Sequence, residues 1–432
     1  MPTLVAIVVA NMIGAGVFTT SGFALADLGS VSWVMTAWVV GGVLAMLGAV
    51  CYGALASYLR ESGGEYLFLA RTVHPQAGFM AGWVSLFAGF TGAIAVAASA
   101  AEAYLADSLP AWLPANSLGT VLILLAGLLH AVRLAPGAWL QNLAVVIKMI
   151  VLLSMVGIGA YVLGNAPHEV VAGDSMGGDT SAGFVRSAPG WGAFATSLMW
   201  ISLSYSGWNA AVYVAGEARD PHRALPRSLL IGSGTVFVLY LFWNLLVLTA
   251  APESELAGRP DVAAVAAREL GGDSWARAVS VVIVLALWTS VSSMVMVGPR
   301  VYAQMAEDGA LPRWLAFRGD TPRAAILMQV VLSVLLLHAY DLRAQLTNLG
   351  WILSVSTAAA VYGLLRERRR VGPERIPLLG GAAVAWIFLL ATLALTIVAL
   401  QANPGDLGYA VAVLGSGAVI AVIRQRRDRA AG

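Results

Sequence analysis

Residues 11–18 of this 432-residue chain read NMIGAGVF, and this stretch decides the fold. Its two glycines, Gly14 and Gly16, stand in the middle of a long apolar run and not at its end. Glycine weakens a helix by about 1 kcal/mol relative to alanine, and it lets the backbone unwind. As a helix, residues 3–12 would rise about 15 Å, which places the break near the middle of a bilayer. We therefore predict a membrane-crossing helix that is interrupted at its centre.

A second apolar run carries a similar interruption at residues 202–209, which read SLSYSGWN. Serine, glycine and asparagine favour local turns over a continued helix. An unwound segment frees N–H and C=O groups that lipid cannot satisfy. The N-terminus of a half-helix attracts a carboxylate, and freed carbonyls attract an ammonium. Two such breaks match a zwitterionic amino acid, although close packing of helices through small residues is the alternative reason for the glycines.

The composition around these runs excludes a soluble enzyme as the default, because only 11% of residues are charged and 59% are hydrophobic. The mean hydropathy is +0.80. A net charge of +2 gives no reason to expect nucleic acid as a partner. We predict an all-α polytopic membrane protein with twelve transmembrane helices. The predicted spans are residues 3–26, 31–58, 77–105, 117–133, 138–163, 190–216, 227–250, 276–304, 323–340, 344–365, 378–400 and 406–423.

The interrupted helices are the first and the sixth, so they begin two sets of five. Interrupted segments at corresponding positions of two halves point to a transporter's binding site. We predict a transport core over 1–365, with repeats at 1–163 and 190–365. Residues 366–432 then form two accessory helices and a basic tail. If both termini are cytoplasmic, 19 arginines lie inside and 5 outside, which agrees with the positive-inside rule.

Four motifs in order give the chain a family resemblance. They are residues 12–18 (MIGAGVF), 62–66 (SGGEY), the GWN, GE and DPHRALPR segments within 207–227, and the GPR and AEDGALP segments within 298–312. The chain resembles the amino acid–polyamine–organocation (APC) transporters, and within them the sodium-independent neutral amino acid permeases and exchangers. This resemblance implies a ten-helix inverted-repeat core of the LeuT type with two extra helices.

Carried over by position, the resemblance places the substrate carboxylate at the amides of Ala15 and Gly16. The ammonium would meet carbonyls near the two breaks, and Tyr205 and Trp208 would line or gate the pocket. The expected substrate-binding residues are Met12, Ile13, Gly14, Ala15, Gly16, Leu203, Ser204, Tyr205, Ser206, Gly207, Trp208 and Asn209.

The only lysine, Lys148, lies deep in the fifth predicted span. An ionisable group there costs about 2.5–3.5 kcal/mol and needs partners. In the resembling family a lysine here bridges the first and eighth spans, where sodium-coupled relatives hold sodium. Ser290 and Ser293 are its expected partners, with a packing tether as the alternative. Glu217, after the second break, is expected to have a gating or structural role.

No motif of an enzyme, an ATP-driven pump or a metal site is present in the sequence, and no cofactor is expected. We therefore expect a secondary transporter of small or medium neutral L-amino acids in the cytoplasmic membrane, working by alternating access. Exchange and proton coupling remain open, and the oligomeric state and any partner subunit are not predicted. The alternative is a cationic amino acid or polyamine transporter, with Glu102 as the candidate partner of a positive side chain.

Overall fold

The structure is a computed structural model that describes the chain apart from a few segments. The residues not described are 60–63, 133–145, 147–148, 151, 155, 158–160, 162–187, 210, 213–219, 318, 320 and 432. The described part is helical and contains no β-strand. The predicted all-α class is therefore confirmed for the residues that the structure describes.

The α-helices follow one another with short connections. In chain order they are α1 Pro2–Met12, α2 Ala15–Leu28, α3 Val31–Leu59, α4 Gly64–Thr72, α5 Pro75–Val84, α6 Ala93–Leu105, α7 Ser117–Ala131, α8 Trp191–Ser204, α9 Pro221–Thr249, α10 Glu253–Leu256, α11 Val262–Glu307, α12 Arg323–Ala339, α13 Leu342–Val371, α14 Gly381–Ala402 and α15 Leu407–Ala431. A π-helix, Ser85–Gly92, joins α5 to α6.

Six segments of the described chain are long and apolar enough to cross a membrane, and the bent pair α1–α2 makes a seventh. Three shorter apolar helices are also present, within residues 117–131, 323–339 and 408–423. The described residues of the predicted spans are mainly helical. Most of the fifth span, 138–163, and the end of the sixth, 190–216, lie outside the described residues. A polytopic membrane protein is thus confirmed, whereas the count of twelve and the inverted repeat stay predictions.

The eighth predicted span, 276–304, is directly preceded by a second helical segment. Helix α11 starts at Val262, and Gly272 interrupts it with φ +77°. The segment before this kink is a short helix over the stretch Val262–Leu270. It is buried against the end of the first span, where Gly258 N–H donates to the carbonyl of Gly22 over 2.7 Å. The loop between α9 and the eighth span is therefore packed onto the helix bundle.

Large aromatic side chains fill the centre of the bundle. Trp38, Trp200 and Trp243 are fully buried, and each ring N–H has a hydrogen-bond acceptor. Helix α3 packs along α9, while α8 contacts α2, α3 and α14. The first and sixth spans therefore lie side by side in the core, which brings the two sequence breaks together.

Candidate functional site

The first break is a two-residue interruption between α1 and α2, which bend by 40° relative to each other. Ile13 leaves the helix with ψ 92°, and Gly14 is extended with φ −127° and ψ −163°. Ala15 and Gly16 then form the first turn of α2, where backbone N–H groups have no partner within the helix. No atom lies within 4 Å of the Cβ position at Gly14, so the break opens onto free space. This arrangement suits a carboxylate.

The second break follows α8, which ends at Ser204. A turn covers residues 205–207, and Trp208 and Asn209 enter a 3₁₀ segment. Gly207 has φ +98°, a backbone conformation that a side chain would strain. Its Cβ position lies only 2.5 Å from the carbonyl oxygen of Asn11. Glycine is therefore required here for two reasons, since it permits the turn and lets the two broken spans touch backbone to backbone.

Gly16 also serves this contact between the spans. A Cβ at Gly16 would collide with the side chain of Ser204 and lie 2.7 Å from its Cα. The Ser204 hydroxyl in turn shares a 2.9 Å hydrogen bond with Thr20. The two interpretations of these glycines thus each apply to one residue. Gly14 faces open space, as the carboxylate site requires, whereas Gly16 packs against α8, as close helix packing requires.

Some of the carbonyls expected to bind an ammonium already have a donor. The Tyr240 hydroxyl donates to the Met12 carbonyl over 2.6 Å, and Ser206 N–H donates to the Leu203 carbonyl over 2.9 Å. A carbonyl oxygen has two lone pairs, so these two keep reduced acceptor capacity. Tyr240 was not predicted from the sequence. Its signal was a polar pair, Tyr240 and Asn244, four residues apart within an apolar run.

The two aromatic residues of the second break point to different surroundings. Tyr205 is fully buried, and its hydroxyl donates to the Trp38 carbonyl over 3.2 Å. It sits among the rings of Trp38 and Tyr240, away from open space. Trp208 instead packs edge-to-face with Tyr52, with 4.6 Å between the ring centres, and it lines a cavity. Trp208 is therefore placed to contact a ligand, whereas Tyr205 anchors α8 to α3 and α9.

A cavity of about 90 Å³ lies beside the second break, between α3, α8, α13 and α14. Leu203, Ser206 and Trp208, all expected to contact substrate, form part of its wall. None of the residues that line it is charged. Its hydroxyl groups come from Ser202, Ser206, Ser354, Thr357, Thr392 and Thr396. Its chemistry suits a small neutral group.

The structure describes only part of the site at which Lys148 is expected to take the place of sodium. Lys148 and Glu217 lie outside the described residues. Ser290 and Ser293 are half-buried on α11, and the Ser290 hydroxyl donates to the carbonyl of Ala286 over 3.3 Å. The assigned roles of these four residues remain predictions.

Glu102 has a different function from the one considered for a cationic substrate. Its carboxylate accepts hydrogen bonds from Asn116 N–H at 2.5 Å and Gly119 N–H at 2.9 Å. These are the first amides of α7, so Glu102 caps that helix and satisfies donors that would otherwise lack partners. Both carboxylate oxygens of Glu102 are therefore used to stabilise the start of α7.

A contact between a charged pair and a tryptophan, which joins α2, α8 and α13, was not predicted from the sequence. The Arg343 guanidinium, at the start of α13, contacts both oxygens of Asp27 on α2 at 2.5 and 2.6 Å. It also lies 5.0 Å from the ring centre of Trp200 on α8. The pair is separated by 316 residues in sequence, and neither residue belongs to a motif.

These features define a membrane protein whose two interrupted helices touch at their breaks, with a neutral cavity beside the second break. The family model described as amino acid permease matches residues 1–423 of the chain. The chain therefore belongs to the amino acid permease family; it is an amino acid transporter and not an enzyme. The predicted family resemblance is confirmed.

Individual relatives agree with this family. The chain is 26% identical to the rat "Large neutral amino acids transporter small subunit 2", over 95% of this chain and 77% of that protein. It is 25% identical to the mouse "Asc-type amino acid transporter 1", covering 96% and 78%. It is 24% identical to the human "Cystine/glutamate transporter", covering 96% and 82%.

Proposed function

We propose that the chain transports small or medium neutral L-amino acids across the cytoplasmic membrane without sodium, by alternating access at the two helix breaks. The observation that carries this proposal is the open space in front of the first turn of α2, at Gly14. The substrate carboxylate would accept hydrogen bonds from the amides of Ala15 and Gly16 there. The ammonium would meet the carbonyls of Ile13 and Ser206.

The wall of the cavity supports a neutral substrate. Burying a charged side chain requires a partner of opposite charge, and the residues around this cavity supply none. Its hydroxyls and apolar groups, such as Phe388, accommodate the side chain of a small or medium neutral amino acid. The cationic alternative is weakened further because Glu102, its candidate partner, caps α7.

The proposed cycle uses the twelve-span arrangement with an inverted repeat and both termini inside. One bundle rocks against the other around the fixed site, and the substrate shifts the population by its different affinity for the two states. The Lys148 ammonium would take the place of sodium between the first and eighth spans. The Arg343–Asp27 pair supports an outer gate, because Arg343 connects the start of α13 both to the end of α2 and to Trp200 on α8.

Uptake by purified protein in liposomes tests this proposal. Labelled alanine, leucine, arginine, glutamate and putrescine are compared with and without sodium, with an inward proton gradient, and with unlabelled amino acid inside. We expect uptake of the neutral compounds in the absence of sodium. Preferred uptake of arginine or putrescine would support the alternative, and a strict sodium requirement would contradict the proposed role of Lys148.

A further inference from the structure

A buried carboxyl group lies between α3, α4 and α13, outside the two breaks. This is the side chain of Glu65 on α4, a residue that is only 6% exposed. The Tyr52 hydroxyl of α3 donates to Oε1 over 2.7 Å, and the Ser356 hydroxyl of α13 donates to Oε2 over 2.5 Å. Both partners are neutral. Among the residues that the structure describes, no lysine, arginine or histidine forms an ion pair with it.

Apart from Tyr52, no charged or titratable side chain that the structure describes around α4 is hydrogen-bonded to this carboxylate. Arg370 and Tyr58 both bind Glu367. The Arg366 guanidinium donates to the carbonyls of Thr72 and Val73, and the His74 ring accepts from the N–H of Gln76. Tyr66 and Arg71 share α4 with Glu65, and neither is hydrogen-bonded to its carboxylate. Burial raises the pKa of the Glu65 carboxyl, while the hydrogen bonds from Ser356 and Tyr52 oppose that shift.

The hydroxyl partners let this site exist in two protonation states. An ionised carboxylate accepts from both hydroxyls, as the structure shows. A protonated carboxyl donates one hydrogen bond, and either hydroxyl can accept it because serine and tyrosine are both donors and acceptors. An arginine partner would hold the group ionised, as Arg370 does for Glu367. Glu65 can therefore gain or lose a proton without leaving a buried group unsatisfied.

Tyr52 connects this carboxyl to the second break. Its ring packs edge-to-face with that of Trp208, with 4.6 Å between the ring centres, and Trp208 lines the cavity. A ligand that presses on Trp208 thus acts on the aromatic ring whose hydroxyl binds Glu65. A displacement of this ring weakens the hydrogen bond from the Tyr52 hydroxyl that stabilises the ionised carboxylate, and it therefore favours the neutral form.

We propose that Glu65 is a proton-binding site whose occupancy is linked to substrate binding at the helix breaks, a proposal that rests on the function given above. Substrate binding is accompanied by proton uptake on Glu65. Linkage is reciprocal, so the affinity for substrate falls as the pH rises through the interval between the titrations of the free and the bound protein. The largest expected change is about tenfold in Kd per pH unit.

Calorimetry of amino acid binding to purified protein, in buffers of different ionisation heat, measures the protons taken up directly. Wild-type protein is expected to take up protons, and Glu65→Gln is expected to bind with no uptake and a flat pH profile. The matched control is Glu367→Gln, which changes another buried glutamate that is paired with Arg370 and leaves uptake intact. Uptake by Glu65→Gln equal to that of the wild type would overturn the proposal.

A second variant covers the case in which Glu65→Gln does not fold. Ser356→Ala removes a donor to the ionised carboxylate, so the pH midpoint of binding should move upward. An unchanged midpoint would contradict the inference. Failure of the wild type to bind any amino acid would refute the proposed function, whereas binding without proton uptake would refute only the proton site.

Discussion

The sharpest test of the substrate site is Gly14→Val. Gly14 has φ −127° and ψ −163°, an extended conformation that β-branched residues adopt readily. No atom lies within 4 Å of its Cβ position, so a side chain has room to leave the backbone there and the fold should be retained. The methyl groups of the valine would occupy the space in front of the first turn of α2, where the substrate carboxylate is proposed to lie.

The size of the effect follows from the contacts that the valine would block. The carboxylate is proposed to accept two backbone hydrogen bonds, from Ala15 and Gly16, and a hydrogen bond to a charged group contributes about 1.5–3 kcal/mol. Losing both costs about 3–6 kcal/mol, which weakens binding by roughly 10²–10⁴-fold. Substrate at ordinary concentrations would then no longer bind measurably.

Gly16→Ala is the informative comparison. Its Cβ would lie 2.7 Å from the Cα of Ser204, so the substitution forces α2 and α8 apart and should lower the melting temperature. Gly234→Ala is a neutral control, because its Cβ would make only an ordinary 3.8 Å contact with Met46.

Calorimetric binding and thermal unfolding are measured on all three variants. The reasoning predicts that Gly14→Val keeps the wild-type melting temperature and loses binding, and that Gly16→Ala loses stability. Binding by Gly14→Val within threefold of the wild type would refute the placement of the carboxylate at this break.

Three further substitutions test other parts of the site. Lys148→Ala should abolish transport in folded protein and create no sodium requirement, as measured by uptake into liposomes; normal kinetics would make the lysine incidental. Arg343→Ala removes an ion pair and a ring contact worth about 1–2 kcal/mol together, so it should raise the outward-open population about 5- to 30-fold in an external labelling assay, and no change would exclude a gate. Tyr240→Phe leaves the Met12 carbonyl without its donor and should lower the stability by about 1–3 kcal/mol in thermal unfolding; an unchanged melting temperature would show that this bond is replaced.

The location of both breaks could be predicted because clustered glycine and serine residues weaken a helix wherever they stand in the middle of an apolar run. The different roles of Gly14 and Gly16 could not, because a residue without a side chain does not indicate which neighbour its Cβ would meet. That neighbour depends on how α2 sits against α8, which is a property of packing.

The directions in which the side chains at and around the breaks point could not be predicted from the sequence either. Tyr205 and Trp208 are three residues apart, and the turn between them directs one into the core and the other toward the cavity. Glu102 was considered for a substrate charge because its distance from the start of α7 depends on the loop that connects the helices. Arg343 and Asp27 meet only once the end of α2 and the start of α13 are adjacent.

The backbone contact between Gly207 and Asn11 has a mechanical consequence. A side chain at such a junction can change rotamer and absorb displacement. Here the two main chains face each other with no room for a side chain between them, because a Cβ on Gly207 would lie 2.5 Å from the Asn11 oxygen. We therefore expect a tilt of α1 to move the turn of the sixth span by nearly the same amount. The two interrupted helices would move together, and a side chain at Gly207 would disrupt this coupled movement before it affected any ligand.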